Sequence, residues 1–287
     1  MANKDTNSTI MRATGLLIIE VRDSNPNGDP DRESDPRQRP DGKGEISPVS
    51  FKRKLRDLVE DKNGEVWKAL GKELTAGEFG ILESRGRNRD EIKKELVGEG
   101  QAFKDKYWDG RVFGNTFLEE GASTTIKTGV VQFGLGLSLA PIEIRRLTNT
   151  NKAGVEGDKD RGMAPMGYRI VHHGVYSMPF FVNPNVAHKS GCTKRDIDLL
   201  LKLIPLAYPH TRSYVRPMVE IRHAWYIEHK SALGSCSDFA VIDALMPKKE
   251  TNCDKPSERW EEYLVPTVLP PVLQAKVAPL KDLMNEL

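Results

Sequence analysis

The sequence predicts an α+β domain built on one sheet, with its regular elements in the order β, α, β, β, α, β. Three observations carry this. Residues 14–21, TGLLIIEV, form a short apolar run rich in β-branched side chains, which reads as a buried strand. A capped amphipathic helix follows at Ser47. A second apolar helix, Lys194 to Leu206, precedes another strand-like run, Met218 to His229.

Taken in order, the first strand stops at residues 22–44, a loop crowded with Pro, Gly, Asp and Asn, which form turns and break helices. Ser47 suits an N-cap and Pro48 the first helical position, and Phe51, Leu55, Leu58 and Val59 then recur on one face. Residues 63–109 are polar and charge-rich, with helices expected at Glu65 to Leu74 and Arg89 to Lys106, and read as a solvated appendage more than as core. Thr125 to Arg146 alternates and is rich in Gly, predicting strands with a bulge or bend. Polar residues from Thr148 to Gly162 separate it from strand-like Met163 to Val182, so a long hairpin with a mobile tip is expected. The tail beyond Pro266 is interrupted by proline and is expected to end in a short helix, Val272 to Leu287. This order is that of a ferredoxin-like βαββαβ sheet, the plan of an RNA recognition motif, in which helices cover one face and leave the other open for a ligand.

The 287 residues are enough for one large domain with insertions or two modest ones. With 38% apolar residues a core can form. The 43 basic and 41 acidic side chains leave a net charge of +2, so any nucleic-acid site must concentrate its cations locally. Cys192, Cys236 and Cys253 lie far apart without a C-x-x-C pair, which points away from a disulfide framework or a zinc ribbon. The N-terminal residues lack the apolar core of a signal peptide, and no apolar run approaches the roughly 18 residues that span a bilayer. A cytoplasmic protein without a membrane partner is expected.

Asp23-Ser-Asn25-Pro-Asn27-Gly28-Asp29 begins like a calcium-binding loop. The pattern then fails: its twelfth position is Ser34, Glu33 comes one place early, and Pro26 and Pro30 stiffen the loop. Neither a metal nor another cofactor is expected. Asp23, Asp29, Asp31 and Asp35 would suit a metal-dependent endoribonuclease, since carboxylates can hold metals that activate water. Asp is equally at home in turns, and the sequence places no general-base His beside them.

The helix after Ser47 offers a different chemistry. Lys52 and Arg56, four residues apart, share a flank, and a helix N-terminus favours an anion. Ser47, the first-turn amides, Lys52 and Arg56 therefore compose a phosphate cradle, or alternatively a solvated basic face, with Arg53 pointing further round. The hairpin region carries Arg145, Arg146, Asn149, Lys152, Lys159, Arg161 and Arg169 beside Met163, Met166 and Tyr168. Such a mixture suits a single strand, with cations on phosphates and apolar groups wedged between bases; it also suits an exposed loop whose Met residues tuck onto the sheet. Arg212, Ser213, Tyr214 and Arg216 precede the last strand, where a nucleic-acid backbone can pass. His172 and His173 are adjacent, so in a strand they point to opposite faces and cannot share a metal.

Several motifs together resemble a known family. They are GLLIIE at 15–20, NPNGDPD at 25–31, ISPVSFKRKLRD at 46–57, DGRVFG at 109–114, VQFG at 131–134, SLAPIEIR at 138–145 and TNTN at 148–151. The chain resembles the CRISPR-associated Cas seven family, the guide-RNA-binding backbone of Cascade surveillance complexes, and most closely its type I-C form. The resemblance implies a modified RNA recognition motif likened to a hand. Its palm would span about 12–62, 110–134 and 170–250, a helical finger insertion 63–109, a β-hairpin thumb 135–169 and a C-terminal tail 251–287. It further implies a non-catalytic subunit whose copies polymerise along the crRNA guide and present it for pairing with target DNA. Other Cascade subunits, of the Cas five, Cas eight and small-subunit types, would be partners. Base pairing then reads sequence while the protein holds backbone and shape. A near-neutral chain fits, because a filament sums many short basic grooves.

Carried onto this chain, the guide-contacting helix corresponds to Ser47, Lys52, Arg53 and Arg56, and the thumb to roughly Leu135 to Arg169, with Met163 and Met166 as base wedges. Asn25, Asn27 and Arg111, inside the matching motifs, complete the expected RNA-binding set with the hairpin and 212–216 cations. The aromatic signature of ordinary RNA recognition motifs is missing, so stacking on an open sheet is not expected. Type III relatives cleave target RNA with a loop Asp, which keeps the endoribonuclease as the alternative.

Overall fold

Strand β1 (Ala13–Ser24) lies between two apolar layers, because alternate side chains of a strand face opposite ways. Leu17, Ile19 and Val21 enter one core, and Leu16 and Ile18 enter another. The computed structural model describes residues 9–72, 74–84, 90, 104–114, 128–151 and 164–286. In it β1 pairs antiparallel with β6 (Ala164–Val182) on one side and β7 (Val219–Glu228) on the other. The 19-residue β6 is the spine of the sheet. Along its other edge it pairs in turn with β5 (Ile144–Asn151), β4 (Gly136–Pro141) and β3 (Val131–Phe133). A short strand, β2 (Lys43–Ile46), adds to β4, and β10 (Lys281–Asp282) adds to β7, completing eight strands whose described pairings are all antiparallel. A separate ribbon joins β8 (Lys248–Lys249) to β9 (Tyr263–Leu264).

One row across this sheet explains a glycine. Phe133, Phe180, Gly15 and Tyr226 stand in register on β3, β6, β1 and β7. The Phe180 ring stacks on Phe133 at 5.2 Å and on Tyr226 at 6.3 Å, passing over the β1 backbone between them. A Cβ on Gly15 would collide with that ring.

The helices α1 (Pro48–Glu60), α2 (Glu65–Leu70), α3 (Trp108–Phe113), α4 (Ala187–Ser190) and α5 (Lys194–Leu203) gather on the Leu17 side of the sheet. The expected Ser47 cap is present: its Oγ accepts the Ser50 amide at 3.2 Å, and Phe51, Leu55, Leu58 and Val59 are buried as their spacing predicts. At α5, the Thr193 amide and hydroxyl both donate to the Asp196 carboxylate, at 2.8 and 2.9 Å.

Three expectations need correction. The described parts of 63–109 are not a solvated appendage: Trp67, Phe79, Ile81 and Trp108 are buried in the main core. Their apolar residues are sparse in the sequence but converge once α2 and α3 pack against α1. The helix expected from Arg89 to Lys106 lies mostly outside the described residues. The tail is not a helix from Val272 onward. It makes one turn of α7 (Pro271–Gln274) and then returns to the sheet as β10, where the Asp282 carboxylate accepts the Ala224 amide at 3.0 Å and lies 2.7 Å from His223 Nδ1.

The second face of the sheet is also not open. Leu16, Ile18, Val175, Trp225 and Ile227 are covered by α6 (Asp238–Leu245), Tyr263, Leu269 and Val277. Burying these large apolar side chains is favourable by roughly 1.5–3 kcal/mol each. Among them Glu20, 3% exposed, accepts Arg22 Nε at 2.7 Å and lies 3.2 Å from His173 Nε2, whose Nδ1 meets Ser257 Oγ at 2.8 Å. His172 turns to the opposite face, as adjacency in a strand requires.

Candidate nucleic-acid interface

The predicted cradle on α1 is largely occupied by the protein itself. Ser47 spends its hydroxyl on its own helix, and its amide donates to Asn27 Oδ1 at 2.8 Å. Arg56 is 2% exposed: Nε donates to Asp109 Oδ2 at 2.9 Å, Nη2 meets Glu83 at 2.9 Å, and the guanidinium lies over the Phe113 ring. Arg111 is likewise buried, paired with Asp196 at 2.7 Å and donating to the Lys104, Asp105 and Glu78 carbonyls. Both guanidiniums are therefore removed from the expected RNA contacts. A buried Arg is retained where carboxylates and carbonyls saturate its donors, and helical spacing alone cannot reveal such partners. Asn25 and Asn27 are also engaged inside the loop, their amides donating to the Ser34 and Gly28 carbonyls at 2.8 and 2.9 Å.

Lys52 is different. Among the described residues it makes no ion pair, and its ammonium sits 5.6 Å from the Phe113 ring centre. Burial and the neighbouring Arg56 charge lower its pKa.

Arg53 leads to the feature that joins two separately predicted sites. With Lys54 and Asp57 it forms one wall of a groove of about 790 Å³, and His210, Thr211 and Arg216 form the other. Arg53 donates to the Glu83 carbonyl, with Nη1 3.6 Å from Asp57. Lys54, which the motif pattern does not single out, lies over Tyr208 and donates to Thr211 Oγ1 at 3.4 Å. Arg216 donates to the Asn25 carbonyl at 2.8 Å, and burial lowers its pKa. Arg212 is exposed just before it.

The predicted hairpin is present, with β5 and β6 paired from Ile144↔Val171 to Asn151↔Ala164. Arg161, Met163, Lys152 and Lys159 lie outside the described residues. Asn149 and Met166 are backbone partners in the ladder. Arg146 and Arg169 both reach Asp35 in the loop after β1, and Arg169 also pairs with Glu33. The Arg146 hydrogen bond, against the opposing effect of burial, holds the Asp35 carboxyl below its ordinary range. Arg145, in contrast, is exposed and pairs with Glu143 at 2.8 Å.

The acidic loop is spent in much the same way. Asp29 caps a single 3-10 turn by accepting the Asp31 amide at 3.1 Å, and Asp35 holds the hairpin. Asp23, in the left-handed region at φ 38°, lies 2.9 Å from His172 Nδ1. Among the described residues no group of three or more His, Cys, Asp or Glu side chains is placed to hold a metal ion. No described helix is long and apolar enough to cross a membrane.

A family model described as CRISPR-associated protein Cas7 matches residues 11–267. The chain belongs to this family. The match includes both walls of the groove and all of the hairpin. The chain is 27% identical over 216 residues to CRISPR-associated protein Cas7 of Haloferax volcanii, covering 67% of this chain and 63% of that protein, less than two thirds of its length. Among solved structures, this Cas7-family chain is similar to one in a CRISPR RNA-guided surveillance complex in its pre-nicking state, with a TM-score of 0.49 and 15% identity over 76% of this chain and 78% of that one. It is also similar to a chain of the type III-B Cmr-beta complex bound to cognate target RNA, with a TM-score of 0.41 and 14% identity over 76% and 61%.

Proposed function

We propose that this Cas7-family chain is a non-catalytic subunit that holds a CRISPR guide RNA by its phosphate backbone. The observation that carries the reading is the groove between α1 and the loop before β7. Arg53 and Arg216, far apart in sequence, both line it, beside His210 and the carboxylates of Asp57, Asp61 and Glu65. Arg212 is exposed on the segment that supplies the second wall, whereas Arg56 and Arg111 serve the fold. Convergent cations in a concave surface suit a polyanion read by shape, and base pairing by the guide supplies sequence.

The order β7–β1–β6–β3, with α1 and α5 on one face, supports reading the sheet as the palm of a modified RNA recognition motif and the β5–β6 hairpin as a thumb. NPNGDPD followed by SPVSFKR favours the type I-C Cascade form, in which copies of the chain line the spacer, other Cascade subunits complete the particle, and the guide is presented to target DNA.

Anisotropy of a labelled, unstructured RNA titrated at several salt concentrations tests the reading. Binding should be indifferent to sequence and should weaken as salt rises. Arg53→Ala combined with Arg216→Ala should lower the slope of log affinity against log salt by about 2, roughly one for each phosphate that no longer meets a cation. An unchanged slope would remove the groove from the interface. Cleavage of complementary RNA in magnesium, abolished by Asp23→Ala, would replace the non-catalytic assignment with a nuclease.

A further inference from the structure

The two faces of the hairpin are unequal. One carries Arg146 and Arg169, which face each other in the ladder and are tied to Asp35 and Glu33. Alternation places Leu147 and Tyr168, also a ladder pair, on the other face. Leu147 is 50% exposed. The Tyr168 ring meets Tyr214 edge-on at 5.4 Å and 66°, and its hydroxyl donates to the Tyr214 carbonyl at 3.4 Å. Tyr214 is itself 61% exposed.

The turn bearing Tyr214 is braced from both sides. The Arg216 amide donates to the Ser213 carbonyl at 2.9 Å, the Asn25 amide to the Val215 carbonyl at 2.7 Å, and Arg216 Nε back to the Asn25 carbonyl at 2.8 Å. The exposed ring is thus held in place before any ligand arrives, which reduces the entropy cost of binding. Arg145 shares the Leu147 face, and Arg212 stands two residues before Tyr214. Cations flanking exposed aromatic rings suit a single strand, with a base on the rings and the cations on its phosphates.

We propose that Tyr168 and Tyr214, with Leu147 beside them, form a stacking platform for an unpaired base of single-stranded RNA, with Arg145 and Arg212 meeting the phosphates on either side. The proposal rests on the guide-RNA reading and adds an aromatic contact to a base.

The test uses the full chain and a short unstructured RNA carrying 2-aminopurine. Wild type should quench the fluorescence of the analogue, and Tyr214→Ala should restore it. Tyr214→Ala and Tyr168→Ala should each weaken binding by roughly tenfold, the scale of one base–aromatic stack, without changing the salt slope. Tyr214→Trp, which keeps a π-face, should bind like wild type. Tyr214→Ala with wild-type affinity and quenching would overturn the platform while leaving the groove intact. A reduced salt slope in that variant would overturn it too, by showing a phosphate contact. Loss of self-association without RNA, at unchanged RNA affinity, would assign the surface to a protein partner and reject the proposal. Failure of wild type to bind RNA would remove the guide reading and the platform together.

Discussion

Replacing Arg56 by Met should unfold the protein more readily without directly weakening RNA binding. The Arg56 side chain is 3% exposed and that of Asp109 1%, so the substitution strands a buried carboxylate. Its remaining donors are the Leu82 and Glu83 amides, at 2.6 and 3.1 Å. Deleting one partner of a buried ion pair costs about 3–5 kcal/mol. At about 2.1 cal/mol/K per residue over 287 residues, the unfolding entropy is about 0.6 kcal/mol/K, so Tm should fall by about 5–8 °C. Calorimetry of wild type, Arg56→Met and the double variant Arg56→Met/Asp109→Leu provides the assay. The double variant should recover much of the loss, because it leaves no unpaired charge at position 109. If Arg56→Met melted within about 1 °C of wild type and yet bound RNA with a reduced salt slope, the reasoning would be refuted and the guanidinium returned to the phosphate cradle.

Glu20 should dominate part of the acid response. Burial pushes its carboxyl up, but the bonds from His173 and Arg22 and the charges of Arg22 and Arg222 outweigh this and hold it at about 2, against an ordinary 4.5. A depressed acid stabilises the fold above its unfolded value and loses that contribution as pH falls, so wild-type stability should drop between about pH 5 and 2 and Glu20→Gln should flatten the drop in pH-dependent urea melts. Gly15→Ala should cost about 1–3 kcal/mol, because the added methyl displaces the Phe180 ring from its row; denaturant unfolding measures it. Asp282→Ala should destabilise by about 1–3 kcal/mol and make the chain beyond Val277 sensitive to limited proteolysis, since the carboxylate that ties β10 to His223 and Ala224 is gone.

What could be read from the residues alone was what depends on near neighbours. Ser47, Pro48 and the Phe51–Val59 spacing specify α1 within a few residues, and the alternation on either side of residues 152–163 specifies a hairpin. The ion pairs Arg56–Asp109 and Arg111–Asp196 were illegible, because their partners come from other elements and a basic flank looks the same whether it faces water or a carboxylate. The covered sheet face was missed for a related reason. Strands of two residues, such as β9 and β10, carry no periodicity, yet they and the segments between them bring Tyr263, Leu269 and Val277 over Trp225. The groove was half visible: Arg53 and Arg216 each stand out in the sequence, but only the fold brings them to the same groove. Tyr168 and Tyr214 belong to separate segments, and their contact depends on the turn pinned to Asn25.

The central position of β1 has a consequence for how the chain is made. Ala13 is partnered by Val182 and, on its other side, by Glu228. At about 5–20 residues per second, the ribosome needs roughly 7–30 s after finishing β1 before its first neighbour emerges. Throughout that interval Leu16, Leu17, Ile18 and Ile19 have neither flanking strand, so the nascent chain presents a bare β-prone segment to every other chain nearby. Yield in the cell should therefore depend on chaperones that bind early, and synonymous changes that slow translation between residues 25 and 182 should lower it while leaving the purified protein unchanged.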